Sequence, residues 1–265
     1  MDIAKQLPTV ISFCSGYGGL ERGLDLAGVE HRVIAYVEIE AFAIANLVAK
    51  MESGALVPAP IFTDIKTFPA HLFRDCVDII TGGYPCQPFS AAGKRLGTED
   101  PRHLWPYIRQ HIRTIRPSRC FFENVEGHIS LGLSSVISDL EEDGYRTAWG
   151  IFSAAEVGAS HQRKRVYIFG SEELADAISA GLQRYAGDGN GSEEPGRYRA
   201  QTARSISASC VSGGERNKWP PEPGLGRVVD GCADRVDRIR LLGNGVVPQT
   251  AAKAWITLVN KEITG

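Results

Sequence analysis

No run of apolar residues in the chain approaches the ~18 that a membrane-crossing helix needs, so no membrane partner is expected. The six cysteines (Cys14, Cys76, Cys86, Cys120, Cys210, Cys232) form no Cys-x-x-Cys pair and no zinc-ligand spacing. That removes the usual signs of a redox motif or zinc site, and no metal is expected. The chain also lacks a secretory signal at its start, so a reducing cytoplasm is the expected setting rather than a disulfide framework. Neither sign of charge predominates: 29 Lys and Arg against 31 Asp and Glu give a formal net charge of -2, and the pI is about 6.3. Any nucleic-acid contact must therefore come from local basic patches. No internal repeat is present.

What is there is an ordinary globular composition, 43% hydrophobic and 23% charged over 265 residues. That length suits one large domain with an insertion. Thr9-Val10-Ile11-Ser12-Phe13 reads as a buried strand running into Cys14-Ser15-Gly16-Tyr17-Gly18-Gly19. Leu20, Leu24 and Ala27 then fall at helical spacing, with Gly28 as the stop. A second strand over 31–37 ends at Glu38-Ile39-Glu40, a helix covers 41–51, and Asp64-Ile65 closes a short third strand. Val77-Asp78-Ile79-Ile80 is a fourth strand, followed by Gly82-Gly83-Tyr84-Pro85-Cys86-Gln87-Pro88-Phe89-Ser90. Residues 102–116 read as a helix with a basic face, stopped by Pro117. A fifth strand delivers Glu123-Asn124-Val125, and two more strands lie near 145–152 and 165–169. Strands and helices alternating at this length predict an α/β fold with a doubly wound, mostly parallel sheet.

After Glu172 the composition changes, and 181–218 is rich in Gly, Ser and Arg with few large apolar side chains. It is read as a small exposed module or a partly disordered one. The expected division is a core of 1–172 with 227–265, interrupted by 173–226. Leu242-Gly243-Asn244-Gly245-Val246-Val247-Pro248 forms a tight turn before a last helix over 249–260.

Several of these loops carry chemistry. The glycines after the first strand allow close approach of a ligand, and no Lys-Ser or Lys-Thr follows them, so this is not a phosphate-clamping loop. Glu38 stands about 20 residues further on, the spacing at which an acid reaches ribose hydroxyls, and Asp64 can meet an adenine amino group. Cys86 lies on a stiff loop beyond a strand end, where open α/β sheets present reactive groups. Read alone it is equally a small core hydrophobe. Glu123 ends a neighbouring strand, and Arg163 and Arg165 share one face of the Arg163-Lys164-Arg165 strand start.

Taken in order, these motifs resemble those of the C5-cytosine DNA methyltransferase family. They are Phe13-x-x-Gly16-x-Gly18-Gly19, Glu38, Asp64-Ile65, Gly83-x-Pro85-Cys86-Gln87-Pro88-Phe89-Ser90, Glu123-Asn124-Val125, Gln162-Arg163-Lys164-Arg165 and Gly243-Asn244-Gly245-Val246-Val247-Pro248-Gln249. The resemblance covers 9–172 and 219–256. It implies a Rossmann-like fold that binds S-adenosylmethionine, without a metal, and acts as a monomer on double-stranded DNA. It further implies that Cys86 adds to cytosine C6, that Glu123 holds and protonates the base, that Arg165 binds its O2 and that Arg163 supports the loop and phosphate. The implied cofactor set is Phe13, Gly16, Gly18, Gly19, Leu20, Glu38, Ile39, Asp64, Ile65, Pro85, Asn244 and Val246, with 87–97 as a flap closing over a flipped base. The setting would be a bacterial or phage-infected cytoplasm, in restriction-modification or phage DNA masking. A non-catalytic regulatory module and the same chemistry on RNA are the alternatives. Three departures stand out: His161 precedes Gln162 where the family often has glutamine, Gly245 replaces a frequent alanine, and the target-recognition region, 173–226, is short.

Overall fold

The computed structural model describes residues 7–85, 104–172 and 245–264. Cys86, the expected flap at 87–97, Asn244 and the expected recognition region at 173–226 lie outside the described residues. Seven strands are described: β1 (Thr9–Phe13), β2 (Arg32–Val37), β3 (Ile61–Phe62), β4 (Ile79–Gly82), β5 (Arg119–Val125), β6 (Tyr145–Ser153) and β7 (Lys164–Glu172). The helices are α1 (Gly19–Leu26), α2 (Ala41–Glu52), α3 (Trp105–Ile115), α4 (His128–Leu131), α5 (Leu133–Glu142) and α6 (Pro248–Thr264). The strands form one sheet in the order β3-β2-β1-β4-β5-β7-β6.

Helices cover both faces, which is why the inner strands read as continuous apolar runs instead of alternating. On one face Ile11, Phe13, Ile80, Cys120, Phe122 and Ile168 pack with Ile108, Ile112 and Ile115 of α3 and Val136 and Leu140 of α5. On the other, Val10, Ile79, Phe121, Tyr167 and Phe169 pack with Leu20 and Leu24 of α1, Leu47 of α2 and Trp255 and Leu258 of α6. Each such side chain contributes about 1.5–3 kcal/mol by leaving water. Gly23 lets α1 and α6 meet closely, since a Cβ there would stand 2.6 Å from the Cβ of Ala251.

Strand order reverses between β1 and β4, so the loops leaving their carboxyl ends diverge and open a crevice. Both β-strands there run parallel, with Phe13 level with Gly82. The parallel set includes β5, whereas β7 is antiparallel to β5 and to β6. The ten residues joining β6 to β7 are too few for a crossover to a parallel strand, so β7 folds back as a hairpin and enters the sheet between β5 and β6.

Three sequence expectations change in detail. β3 ends at Phe62, and Asp64 instead caps a short 3-10 turn (Ile65–Thr67), its Oδ1 accepting from Lys66 N at 2.9 Å. Capping satisfies a free N–H that a longer strand would leave to a partner. β5 continues to Val125, so Glu123 is inside the strand. The basic face expected on α3 is an ion-paired seam: Arg109 meets Asp143 at 3.0 Å, Glu142 at 2.8 Å, and Asp139, while Arg113 meets Asp143 at 2.8 Å. These arginines join α3 to α5.

Candidate active site

The glycine loop is shaped by backbone geometry that few residues tolerate. Gly16 has φ +54° and Gly18 φ +81°, and a Cβ built on Gly16 would meet no atom within 4 Å. The loop is held from below: Gly16 N donates to Glu38 Oε2 at 2.7 Å, and Glu40 N donates to Glu38 Oε1 at 2.8 Å. Glu38 thus ties the end of β2 to the loop after β1, and it is 7% exposed. Next to it in the chain Ile39 is 72% exposed, an apolar side chain left in solvent. Cys14 has φ 50°, and burial together with the Glu38 charge pushes its thiol up to about 12, so it stays protonated.

Sequence reasoning missed three supports of this loop. Lys50 of α2 donates to Tyr17 O at 2.6 Å and lies 5.1 Å from that ring's centroid. The Tyr17 hydroxyl donates to Val246 O. Glu21, in the first turn of α1, is 2% exposed; its Oε1 accepts from Thr81 Oγ1 at 2.5 Å, and its Oε2 is buried without a hydrogen-bond partner among the described residues. No local signal marks Glu21 for burial, which comes from packing against β4.

Glu123 and Arg165 face each other across β5 and β7. Arg165 Nε lies 3.0 Å from Glu123 Oε1, in a pair whose carboxylate is only 6% exposed. Burial pushes the Glu123 carboxyl up to about 7, with Arg165 and Arg163 pulling it down less strongly. Arg163 does not share the strand geometry expected of it: β7 starts at Lys164, and Arg163 has φ 31°. Its guanidinium donates to Gly245 O, joining the start of β7 to the C-terminal turn. That turn also meets the other loops. A Cβ on Gly19 would stand 2.9 Å from Val246 Cβ, and one on Gly83 would stand 3.6 Å from Glu123 Oε2 and 3.9 Å from Val246 Cγ2.

The structure therefore brings together Gly16, Gly19, Glu38, Gly83, Glu123, Arg163, Arg165 and Val246 around one cleft. Phe13 and Leu20 are buried beneath it, with 0% and 4% exposure. Asp64 and Ile65 lie one strand further out. The Ile65 carbonyl is 2.6 Å from His111 Nε2, and the His111 ring packs 5.6 Å from Phe13. Pro85, exposed, is the last described residue before Cys86.

Comparison with known proteins places this geometry. The family model for C-5 cytosine-specific DNA methylase matches residues 8–186. The chain belongs to the C-5 cytosine-specific DNA methylase family. It is 32% identical over 162 residues to the Type II methyltransferase M.NgoMIV of Neisseria gonorrhoeae, covering 60% of this chain and 50% of that protein. To the Type II methyltransferase M.BspRI of Lysinibacillus sphaericus it is 27% identical over 248 residues, covering 79% and 58%. The chain thus spans about half the length of these relatives. Two solved structures share the fold. A DNMT2 mutant from Spodoptera frugiperda gives a TM-score of 0.54 at 22% identity, covering 63% of this chain and 51% of that one. The S. pombe Dnmt2 methyltransferase gives 0.53 at 23%, covering 69% and 57%.

The methylase family implies S-adenosylmethionine, and the cleft suits it. A Cβ at Gly16 would occupy open space directly above the loop, where a ligand can approach the backbone. The buried Glu38 carboxylate and the exposed Ile39 offer, side by side, an acceptor for hydroxyls and an apolar contact for a ring. No lysine is needed to balance a phosphate, because this cofactor's reactive end is a sulfonium. Among the described residues no helix is long and apolar enough to cross a membrane.

Proposed function

We propose that this methylase transfers a methyl group to C5 of cytosine in double-stranded DNA. The observation that carries the reading is the buried Glu123–Arg165 pair on β5 and β7, with a carboxyl that titrates at about 7, set beside β4, the strand that leads to Cys86. Cytosine C5 is a weak nucleophile, so the thiolate of Cys86 adds first to C6, forming an S–C6 bond and shifting the C5–C6 π electrons toward C5. Glu123, protonated, donates to N3 as negative charge develops and holds the N4 edge. Arg165 binds O2, and Arg163 fixes the C-terminal turn through Gly245. S-adenosylmethionine, when bound, supplies the electrophilic methyl group. Gly16, Gly18, Gly19 and Leu20 shape its site, Glu38 accepts from ribose hydroxyls, and Ile39, Asp64 and Ile65 receive the adenine. Phe13, Pro85, Asn244 and Val246 complete the wall. Loss of the C5 proton to solvent water then returns the electron pair that expels the Cys86 sulfur as thiolate, and N3 gives its proton back to Glu123. These groups cannot reach C6 of a stacked base, so the cytosine leaves the duplex first. Residues 173–226 act as the target-recognition region, and the role is self-protection in restriction-modification or masking of phage DNA.

Incubation with labelled S-adenosylmethionine and a panel of DNA and RNA, followed by base-resolution mapping, tests this. The expected result is 5-methylcytosine in duplex DNA; label confined to RNA refutes it. DNA carrying 5-fluorocytosine should trap a covalent adduct that Cys86→Ser abolishes, and an adduct that survives this change removes Cys86 from its assigned role.

A further inference from the structure

Tyr84 is the last buried side chain before Pro85 and Cys86, and it is gripped at both its main chain and its ring. Its carbonyl accepts from Asn124 Nδ2 at 3.1 Å, and Asn124 is itself oriented by Val125 N, which donates to Oδ1 at 2.9 Å. Its ring packs edge-on against Phe122 (5.9 Å) and His128 (5.6 Å) and tilts against Trp105 (5.5 Å). Its hydroxyl lies 3.1 Å from Nε2 of His128 and either donates to it or accepts from it according to the tautomer.

His128 is 1% exposed, and its Nδ1 is buried without a hydrogen-bond partner among the described residues. Room for it depends on Gly132, where a Cβ would come within 3.0 Å of His128 Cε1. A leucine would fill this apolar pocket without desolvating two ring nitrogens, so packing alone does not account for the imidazole. What the imidazole adds is a directed contact to the Tyr84 hydroxyl. The chain leaves β4 through Gly82-Gly83, which have little side-chain restraint of their own, and Tyr84 is the first residue at which the path can be fixed.

We propose that His128 is a positioning residue: through the Tyr84 hydroxyl it sets the direction in which the chain leaves β4 toward Cys86. The proposal rests on Cys86 being the nucleophile named above. A nucleophile displaced by about 1 Å loses up to ~100-fold in rate, so a lock at the loop root acts chiefly on the chemical step; of the cofactor wall only Pro85 shares this stretch, and the rest stands on other loops.

The test uses the full chain with Tyr84→Phe, His128→Leu, His128→Gln and the double variant Tyr84→Phe/His128→Leu. Each of the first two should slow formation of the 5-fluorocytosine adduct about tenfold, with KM for S-adenosylmethionine held within about twofold. Gln places an amide near the Nε2 position, so His128→Gln should recover to within about threefold of wild type. The double variant should be no slower than the slower single one, because both remove the same contact. Multiplying effects, or a Gln variant no better than Leu, would overturn the assignment. Hydrogen exchange over 79–85 provides a readout independent of methyl transfer: exchange should be faster in His128→Leu than in wild type or His128→Gln. Equal exchange in all three overturns the proposal, even if wild type forms no adduct and the nucleophile reading fails separately.

Discussion

Replacing Glu123 with glutamine tests the electrostatics of the cleft without relying on any assay of activity. The carboxyl is held at about 7 against its ordinary 4.5, because burial outweighs the pull of Arg165 and Arg163. Between those two values the folded protein keeps a proton that the unfolded chain has released. Stability contributed by this group therefore falls as pH rises through the window and levels off above about 7. At about 1.36 kcal/mol per pH unit, the full window corresponds to about 3 kcal/mol. Glutamine has nearly the same shape and cannot titrate. A guanidinium keeps its proton across this whole window, so the cost of leaving Arg165 without its carboxylate is a constant offset and does not alter the slope. Urea unfolding followed by tryptophan fluorescence at several pH values gives the difference between wild type and Glu123→Gln, with unchanged m-values as the check on two-state behaviour. Wild type should lose about 3 kcal/mol relative to the variant on going from pH 4.5 to pH 7.5. Curves parallel to within about 1 kcal/mol would show that the ion pair cancels the burial penalty, and the proton-donor argument would fail with it.

Gly23→Ala gains helix propensity worth about 1 kcal/mol but drives a Cβ into Ala251, and overpacking costs about 1–3 kcal/mol. A lower melting temperature, restored when Ala251→Gly is added, is expected; a rise in the single variant would mean that α1 and α6 can separate freely. Arg109→Met should cost about 2 kcal/mol at pH 7, between the values for exposed and for buried pairs. Burial would raise the Asp143 carboxyl, yet its pairing with Arg109 and Arg113 holds it below the ordinary 3.8, so this contribution is present above that value and lost as pH falls further. The stability gap to wild type should narrow below about pH 3.8, and a constant gap would assign the loss to packing of the Arg109 stem.

Local sequence was most informative where function sits on strand ends. Phe13, Glu38 and Gly83 were readable because each follows an apolar run, and the end of a buried parallel strand is where the chain must turn into solvent. It was least informative where partners are remote. Arg109 and Arg113 read as an exposed basic face because Asp139 and Asp143 lie some thirty residues away. Nothing local marks Glu21, which meets Thr81, 60 residues on, in the interior. Tyr84 and His128 are separated by 44 residues and carry no motif in common.

A doubly wound α/β chain with a glycine loop, an acid-tipped second strand and a cysteine loop in the family's order was legible in the amino-acid sequence alone. Periodicity, turn residues and motif spacing are local properties, and they suffice for that. The antiparallel entry of β7 between β5 and β6, which sets Arg165 beside Glu123, became visible in the three-dimensional fold. The fold alone turned Arg163 onto Gly245, placed Val246 against Gly19, and gave Tyr84 a histidine to hold. Each of these depends on which distant groups share a dry interior, where an unmet charge or hydrogen bond costs several times what it does in water.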